Sequence, residues 1–154
     1  MKPIAIGSDN AGAALRRAVA DHLRKRGYEV VDYGVDDESH AYPAIAFEVA
    51  DQVAGGRHDR AVLCCGTGLG MAIAANKVPG VYAATCHDVY SAQRARKSNN
   101  AQIMTMGQRV VGTELAIVIL DAWLESEFEH GRSEAKVALI VERERKLVGE
   151  KAAQ

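Results

Sequence analysis

One stretch of this chain joins a nucleophile to a string of backbone donors: Cys65-Gly66-Thr67-Gly68-Leu69-Gly70. The residues before it, 60–65 (RAVLCC), are apolar on both faces, as a central parallel strand should be. Those after it, 71–76, read as a short helix. A glycine-rich turn between strand and helix exposes successive N–H groups, which together with the helix N-terminus make an anion-binding concavity. The same positive end favours the thiolate form of Cys65. A base beside an oxyanion cradle is what proton abstraction next to a carbonyl requires. The base takes hydrogen from carbon, and the donors hold the enediolate oxygens. The alternative is a buried, inert cysteine followed by a flexible turn. Cys64 points to the opposite face of its strand and belongs in the core; Cys86 ends another strand and reads as structural.

Nucleotide chemistry fits this turn poorly. A dinucleotide fingerprint needs G-x-G-x-x-G on the first strand of its unit, and here Met71 stands at the third glycine position, after the third strand. The G-x-x-x-x-G-K-[ST] phosphate loop is absent. The five histidines, at 22, 40, 58, 87 and 130, show no paired ligand spacing, and Cys64 and Cys65 are neighbours rather than a C-x-x-C pair. No metal site is expected. A redox couple between adjacent cysteines would strain the backbone.

Other polar residues can complete a site or merely finish the surface. Asp9, in the turn 8–12, can bind sugar hydroxyls or cap a helix. Arg109 follows the fifth strand, and Arg132 and Lys136 open the last helix. Three cations near one edge can grip a phosphate, or form a solvated face. Asn99 and Asn100 are either a turn or donors to substrate.

These residues need elements to place them. Strands are expected at 2–7, 28–33, 60–65, 81–85 and 101–106, and helices at 13–26, 42–54, 71–76, from Asp88 to about 97, at 113–126 and at 134–150. Gly27 stops the first helix, and Asp88 and Thr113 are expected caps. Alternating strands and helices give an α/β fold: a Rossmann-like three-layer αβα sandwich on a parallel five-stranded sheet. No internal repeat or linker divides residues 1–154, so a single domain is expected. In such sheets the site lies beyond the carboxyl ends of the strands, which selects the loops 8–12, 34–42, 66–70 and 85–88 and the turn after strand five.

The bulk composition narrows the partners. The formal net charge is -1 and basic residues are dispersed, so nothing draws the chain to nucleic acid or to an anionic membrane. No apolar run approaches the roughly 20 residues of a membrane span. The segment MKPIAIGSDN reaches a polar turn too soon for a signal peptide. Three cysteines, two of them adjacent, make a poor disulfide framework, and a reducing cytoplasm is expected.

Several separated motifs together resemble ribose-5-phosphate isomerase B and its relatives, the lactose-operon galactose-6-phosphate isomerase subunits. They are Gly7-Ser8-Asp9-x-Ala11-Gly12, the run from Asp59 to Cys65-Gly66-Thr67-Gly68-x-Gly70, Ala74–Gly80 (AANKVPG), Tyr90-Ser91-Ala92, Asn99, Gly107-x-Arg109-Val110-Val111-Gly112 and Gly131-Arg132. The resemblance implies an isomerase that needs no cofactor and acts on a phosphorylated sugar, with Cys65 as the base shuttling a proton between C1 and C2. It implies that Gly66, Gly68 and Gly70 hold the enediolate, that Thr67 and Asn99 line the reacting end, and that Asp9 and Asn10 meet the sugar. Arg109, Arg132 and Lys136 would grip phosphate. It also implies a homodimer, sometimes paired into a tetramer, with the C-terminal helix, about residues 133–150, packed on the partner subunit and sites at the interface. Some members replace the cysteine and carry a glutamate where this chain has Leu69; here only Cys65 offers the base.

Two departures bear on substrate. Many family members read Asp-His where this chain has Asp9-Asn10, and carry a ring-opening histidine where it has Ser98. A serine with no base beside it is a poor proton shuttle. Ribose 5-phosphate remains the family's usual substrate. A tetrose 4-phosphate has its O4 esterified, cannot close a furanose and needs no such group, and residues 98–102 (SNNAQ) are similar to the erythrulose-4-phosphate isomerase branch. A non-catalytic sugar-phosphate-binding subunit is the reading from another class.

Overall fold

A computed structural model describes residues 1–152. Five strands, β1 Ile4–Ser8, β2 Val30–Asp32, β3 Ala61–Cys65, β4 Ala83–Thr85 and β5 Ile103–Gly107, form one sheet in the order β2-β1-β3-β5-β4. Every pairing is parallel, with Gly7 opposite Leu63 and Leu63 opposite Thr105 across the centre. Six helices connect and flank them: α1 Ala13–Lys25, α2 Tyr42–Ala54, α3 Leu69–Ala75, α4 Val89–Lys97, α5 Thr113–Leu124 and α6 Arg132–Ala152. This is the expected αβα sandwich.

The period of two along a strand divides the core. From β3, Val62 and Cys64 face a layer built by Leu15, Val19 and Leu23 of α1 and Ile119, Leu120 and Trp123 of α5. Ala61, Leu63 and Cys65 face the other layer, with Ile45 and Val49 of α2 and Met71 of α3. Burial of β1, β3 and β5 is complete at every position, which is why their sequences are apolar without alternation.

The two edge strands are shorter than expected. β1, β2, β4 and β5 each begin two residues later than expected, at Ile4, Val30, Ala83 and Ile103, and the edge strands β2 and β4, with one neighbour each to bond, span only three residues. Thr113 does not cap α5. It is the first helical residue, and Gly112 enters extended at φ -72°, ψ 157° with no side-chain cap. Asp88 does cap α4, accepting from Ser91 N at 2.7 Å. α6 opens at Arg132, and of its described residues only Val137 is buried. No helix among the described residues is long and apolar enough to cross a membrane.

Polar ties lock the ends of the layers. Arg60 donates to the carbonyls of Trp123 at 3.0 Å and Leu124 at 2.8 Å, satisfying orphan acceptors at the end of α5. Arg16, only 4% exposed, bonds Ser8 Oγ at 2.9 Å, Val35 O at 2.9 Å and Asp36 at 2.6 Å, fastening the end of β1 to the loop after β2.

Leu120 is fully buried between α5 and the sheet. Leu120→Ala is expected to cost about 2–5 kcal/mol in a urea titration, with the slope of the transition unchanged.

Candidate active site

The carboxyl ends of β1 and β3 and the turn after β5 meet at a cavity of about 300 Å3. Its wall is Asp9, Tyr42, Cys65, Gly66, Thr67, Gly70 and Arg109, with Ala11 beside them. Six of the residues singled out from sequence therefore share one space: Asp9, Cys65, Gly66, Thr67, Gly70 and Arg109.

Cys65 sits where its strand ends. Its sulfur accepts from Gly68 N at 3.1 Å, so a turn donor already points at the position where negative charge is wanted. The turn reaches this geometry through Gly68, whose φ of 78° is left-handed and whose missing Cβ would lie 2.8 Å from the backbone of Met106. The Gly68 carbonyl in turn accepts from Thr105 Oγ1 at 2.8 Å, and Thr105 is bonded to Thr85 Oγ1 at 2.8 Å. Behind the turn, Gln108 N donates to Cys65 O at 2.9 Å and Arg109 N to Gly66 O at 3.0 Å. These bonds dock the turn after β5 onto the turn after β3 and place Arg109 over Gly66.

The other two thiols are set apart from this chemistry. Burial pushes Cys64 and Cys86 up to about 12, so both stay neutral thiols near neutral pH. All three cysteines are free.

Asp9 meets both readings given to it. Its Oδ1 caps the 3-10 turn Asn10–Gly12 by accepting from Gly12 N at 3.2 Å, and the side chain also lines the cavity. Asn10 is exposed in that turn and does not line the cavity. Ser98 ends α4, and its hydroxyl accepts from Arg94 Nε at 2.8 Å. Asn99 is exposed just beyond it, and Asn100 forms a left-handed turn at φ 53°. Arg132 and Lys136 are exposed on the first turns of α6. Within one chain, neither these two cations nor Ser98 or Asn99 line the cavity, so the three cations expected at one edge are not gathered there.

Tyr42 was not foreseen as a site residue. It opens α2 directly after the loop that the strand-end rule selects, and its ring lies 2.5 Å from where a Cβ on Gly70 would stand. A glycine at 70 thus makes room for the tyrosine as well as for the turn. His87, which has no metal-ligand partner in the sequence, also acts on this region. Its Nε2 accepts from Gly107 N at 2.9 Å, which fixes the proton of the neutral ring on Nδ1 and holds the strand-five turn.

The chain as a whole is similar to several known proteins. The family model Ribose/Galactose Isomerase matches residues 4–140. A D-erythrulose-4-phosphate isomerase of Pectobacterium atrosepticum is 51% identical over 142 residues, covering 91% of this chain and 93% of the relative. A ribose-5-P isomerase B of Listeria innocua is 50% identical over 144 residues, covering 93% and 97%. The solved structure of Clostridium thermocellum ribose-5-phosphate isomerase B superposes with a TM-score of 0.92 at 50% identity, covering 96% of this chain and 99% of that one.

Burial holds the His87 pKa below its ordinary 6.5, against a smaller opposing pull from Asp88. The unfolded chain then takes up this proton at higher pH than the folded one. The contribution is complete above about pH 6.5 and is lost as pH falls below it. His87→Gln keeps an acceptor for Gly107 N without titrating. Urea midpoints measured from pH 5 to 7.5 are expected to fall more steeply on acidification in the parent than in this variant.

Proposed function

The chain belongs to the ribose/galactose isomerase family, and from that premise we propose that Cys65 is the base of an aldose–ketose isomerisation of a short phosphorylated sugar. The observation that carries this is the Cys65 sulfur on the cavity wall with the Gly68 N–H directed at it from 3.1 Å. The thiolate lifts the proton from the carbon beside the carbonyl and returns it to the neighbouring carbon, C1 and C2 exchanging roles. N–H groups of the Gly66–Gly70 turn carry the enediolate oxygens between the two transfers. Thr67 lines the same cavity, where its hydroxyl can hold a substrate oxygen. Leu69 offers no alternative base, being apolar and 56% exposed.

Arg109 is the cation that one chain supplies. In this reading Arg132 and Lys136 of the partner subunit complete the phosphate site, and Asn99 of the partner subunit completes the reacting end. The exposed Leu139, Ile140, Leu147 and Val148 of α6, and Val110, Leu115 and Val118 near α5, support burial against a second copy.

The four-carbon substrate, D-erythrulose 4-phosphate going to D-erythrose 4-phosphate, fits this site better than ribose 5-phosphate. No histidine lines the cavity, the Ser98 hydroxyl is held by Arg94, and His87 Nε2 is spent on Gly107. A furanose has to be opened before C1 and C2 can exchange a proton, and neither Ser98 nor His87 is disposed to do it, whereas a tetrose 4-phosphate is never closed that way. Ribose 5-phosphate remains the second reading, supported by relatives at 50% and 46% identity bearing that name.

Cys65→Ser is expected to lower kcat by about 10²–10⁴-fold with the fold intact, since a positioned base contributes about that much. Full activity in that variant removes Cys65 from the mechanism. Offered both sugars, the parent enzyme is expected to show the higher kcat/KM on the tetrose phosphate, and an equal or higher value on ribose 5-phosphate decides for the second reading. Mixing inactive Cys65→Ser with inactive Arg132→Ala is expected to restore activity through hybrid dimers carrying one intact site. No recovery after verified subunit exchange places Arg132 outside the partner's site.

A further inference from the structure

At the end of the sheet opposite Cys65, the residues leading into β1 and β3 frame a second cavity of about 220 Å3. Arg60, Arg96 and Glu127 form its polar wall, and Tyr28 and Leu124 its apolar one. Two guanidiniums meet there. Arg60 spends donors on three carbonyls, those of Trp123, Leu124 and Ser126. Arg96 is 8% exposed and gives one nitrogen to Ala101 O at 2.9 Å and Asn100 Oδ1 at 3.2 Å. Its Nε is buried with no partner. Carbonyls satisfy donors but bring no charge. The one carboxylate facing both guanidiniums is Glu127, which touches Arg60 with one oxygen and Arg96 with the other at 3.4 Å. The other acid on the wall, Asp59, is neutralised by Lys2 at 2.9 Å.

The charges therefore do not balance. Two largely buried cations share one carboxylate whose side chain is 77% exposed. Burial and repulsion from Arg60 hold the Arg96 guanidinium below its ordinary range, so the second cation is present at a cost. Paired guanidiniums in a cavity are suited to a planar or tetrahedral oxyanion, which they bind with parallel N–H bonds. We propose that this cavity is a binding site for a small oxyanion of the phosphate or carboxylate type, which takes the place of the Glu127 carboxylate on Arg60 Nη2 and Arg96 Nη2 and displaces that carboxylate into solvent. The site is separate from the one at Cys65 and does not depend on the reaction assigned there. Its reach extends along α4, because Arg96 also holds the Asn100 turn next to Asn99, and the segment carrying Glu127 is tied to α4 by Glu129 N donating to Lys97 O at 3.1 Å.

Titration of isotope-labelled full-length protein with inorganic phosphate, read at backbone amides by NMR, tests this. The comparison is with Glu127→Gln, which keeps an oxygen acceptor for both guanidiniums and removes only the charge; its amide spectrum without phosphate is required to match the parent's fold before titration. Saturable shifts are expected at the amides of residues 60, 96, 100 and 101, with affinity about ten-fold tighter in Glu127→Gln because the internal competitor is gone. Adding Arg60→Gln to that variant is expected to abolish them. Shifts confined to residues 65–70 mean that phosphate is taken only by the Cys65 cavity, and overturn the proposal. Equal affinity in the parent and Glu127→Gln, or no saturable shift in either, overturns it as well.

Discussion

Gly68 carries three requirements at once. Its left-handed φ turns the chain so that its own N–H faces the Cys65 sulfur. Its carbonyl is drawn back onto Thr105, and its open α-carbon lets the backbone at Met106 approach closer than any side chain would permit. Take away any of the three and the donor no longer points at sulfur. The sheet has to be parallel and in this register for the arrangement to exist, since β3 supplies the cysteine and its neighbour β5 supplies the threonine.

From that contact the surroundings follow in order. Thr105 is fully buried, and a buried hydroxyl needs partners; it finds them in Gly68 and Thr85. The turn after β5 folds back onto the carbonyls of Cys65 and Gly66, which brings Arg109 to the cavity rim. His87 fixes the same turn from β4's side by accepting from Gly107. Polar groups outside the cavity thus set the geometry of those that line it. Arg16 does comparable work under β1, holding Ser8 and the loop that delivers Tyr42.

Within one chain the cavity gathers a thiol, turn donors, one carboxylate and one cation. The exposed aliphatic residues of α6 and the cations at its start lie on a helix with little of its own chain to pack against. Both facts fit the proposal that the site is finished by association with a second copy. The cavity at the far end of the sheet has a different logic, with cations buried by the fold and a carboxylate that is barely enclosed.

Much of this was legible in the sequence because local rules suffice for it. Uninterrupted apolar runs mark β1, β3 and β5 as central strands, glycines mark the turns, and Cys65 at the end of a strand before such a turn marks the site. The exact extent of β2 and β4 was not legible, because edge strands are bounded by how far one neighbour reaches. Nor was the cap of α5, where an extended Gly112 takes the place expected of Thr113. Tyr42, Thr85, Thr105 and the acceptor role of His87 were invisible for a common reason: each acts across a gap of 17 residues or more in the chain, and no spacing rule connects them to Cys65. Sequence alone determined which residues are candidates for the chemistry and which end of which strand holds them. Tertiary structure decided which of them share a cavity, because that depends on strand order and register, quantities set by packing over the whole sheet.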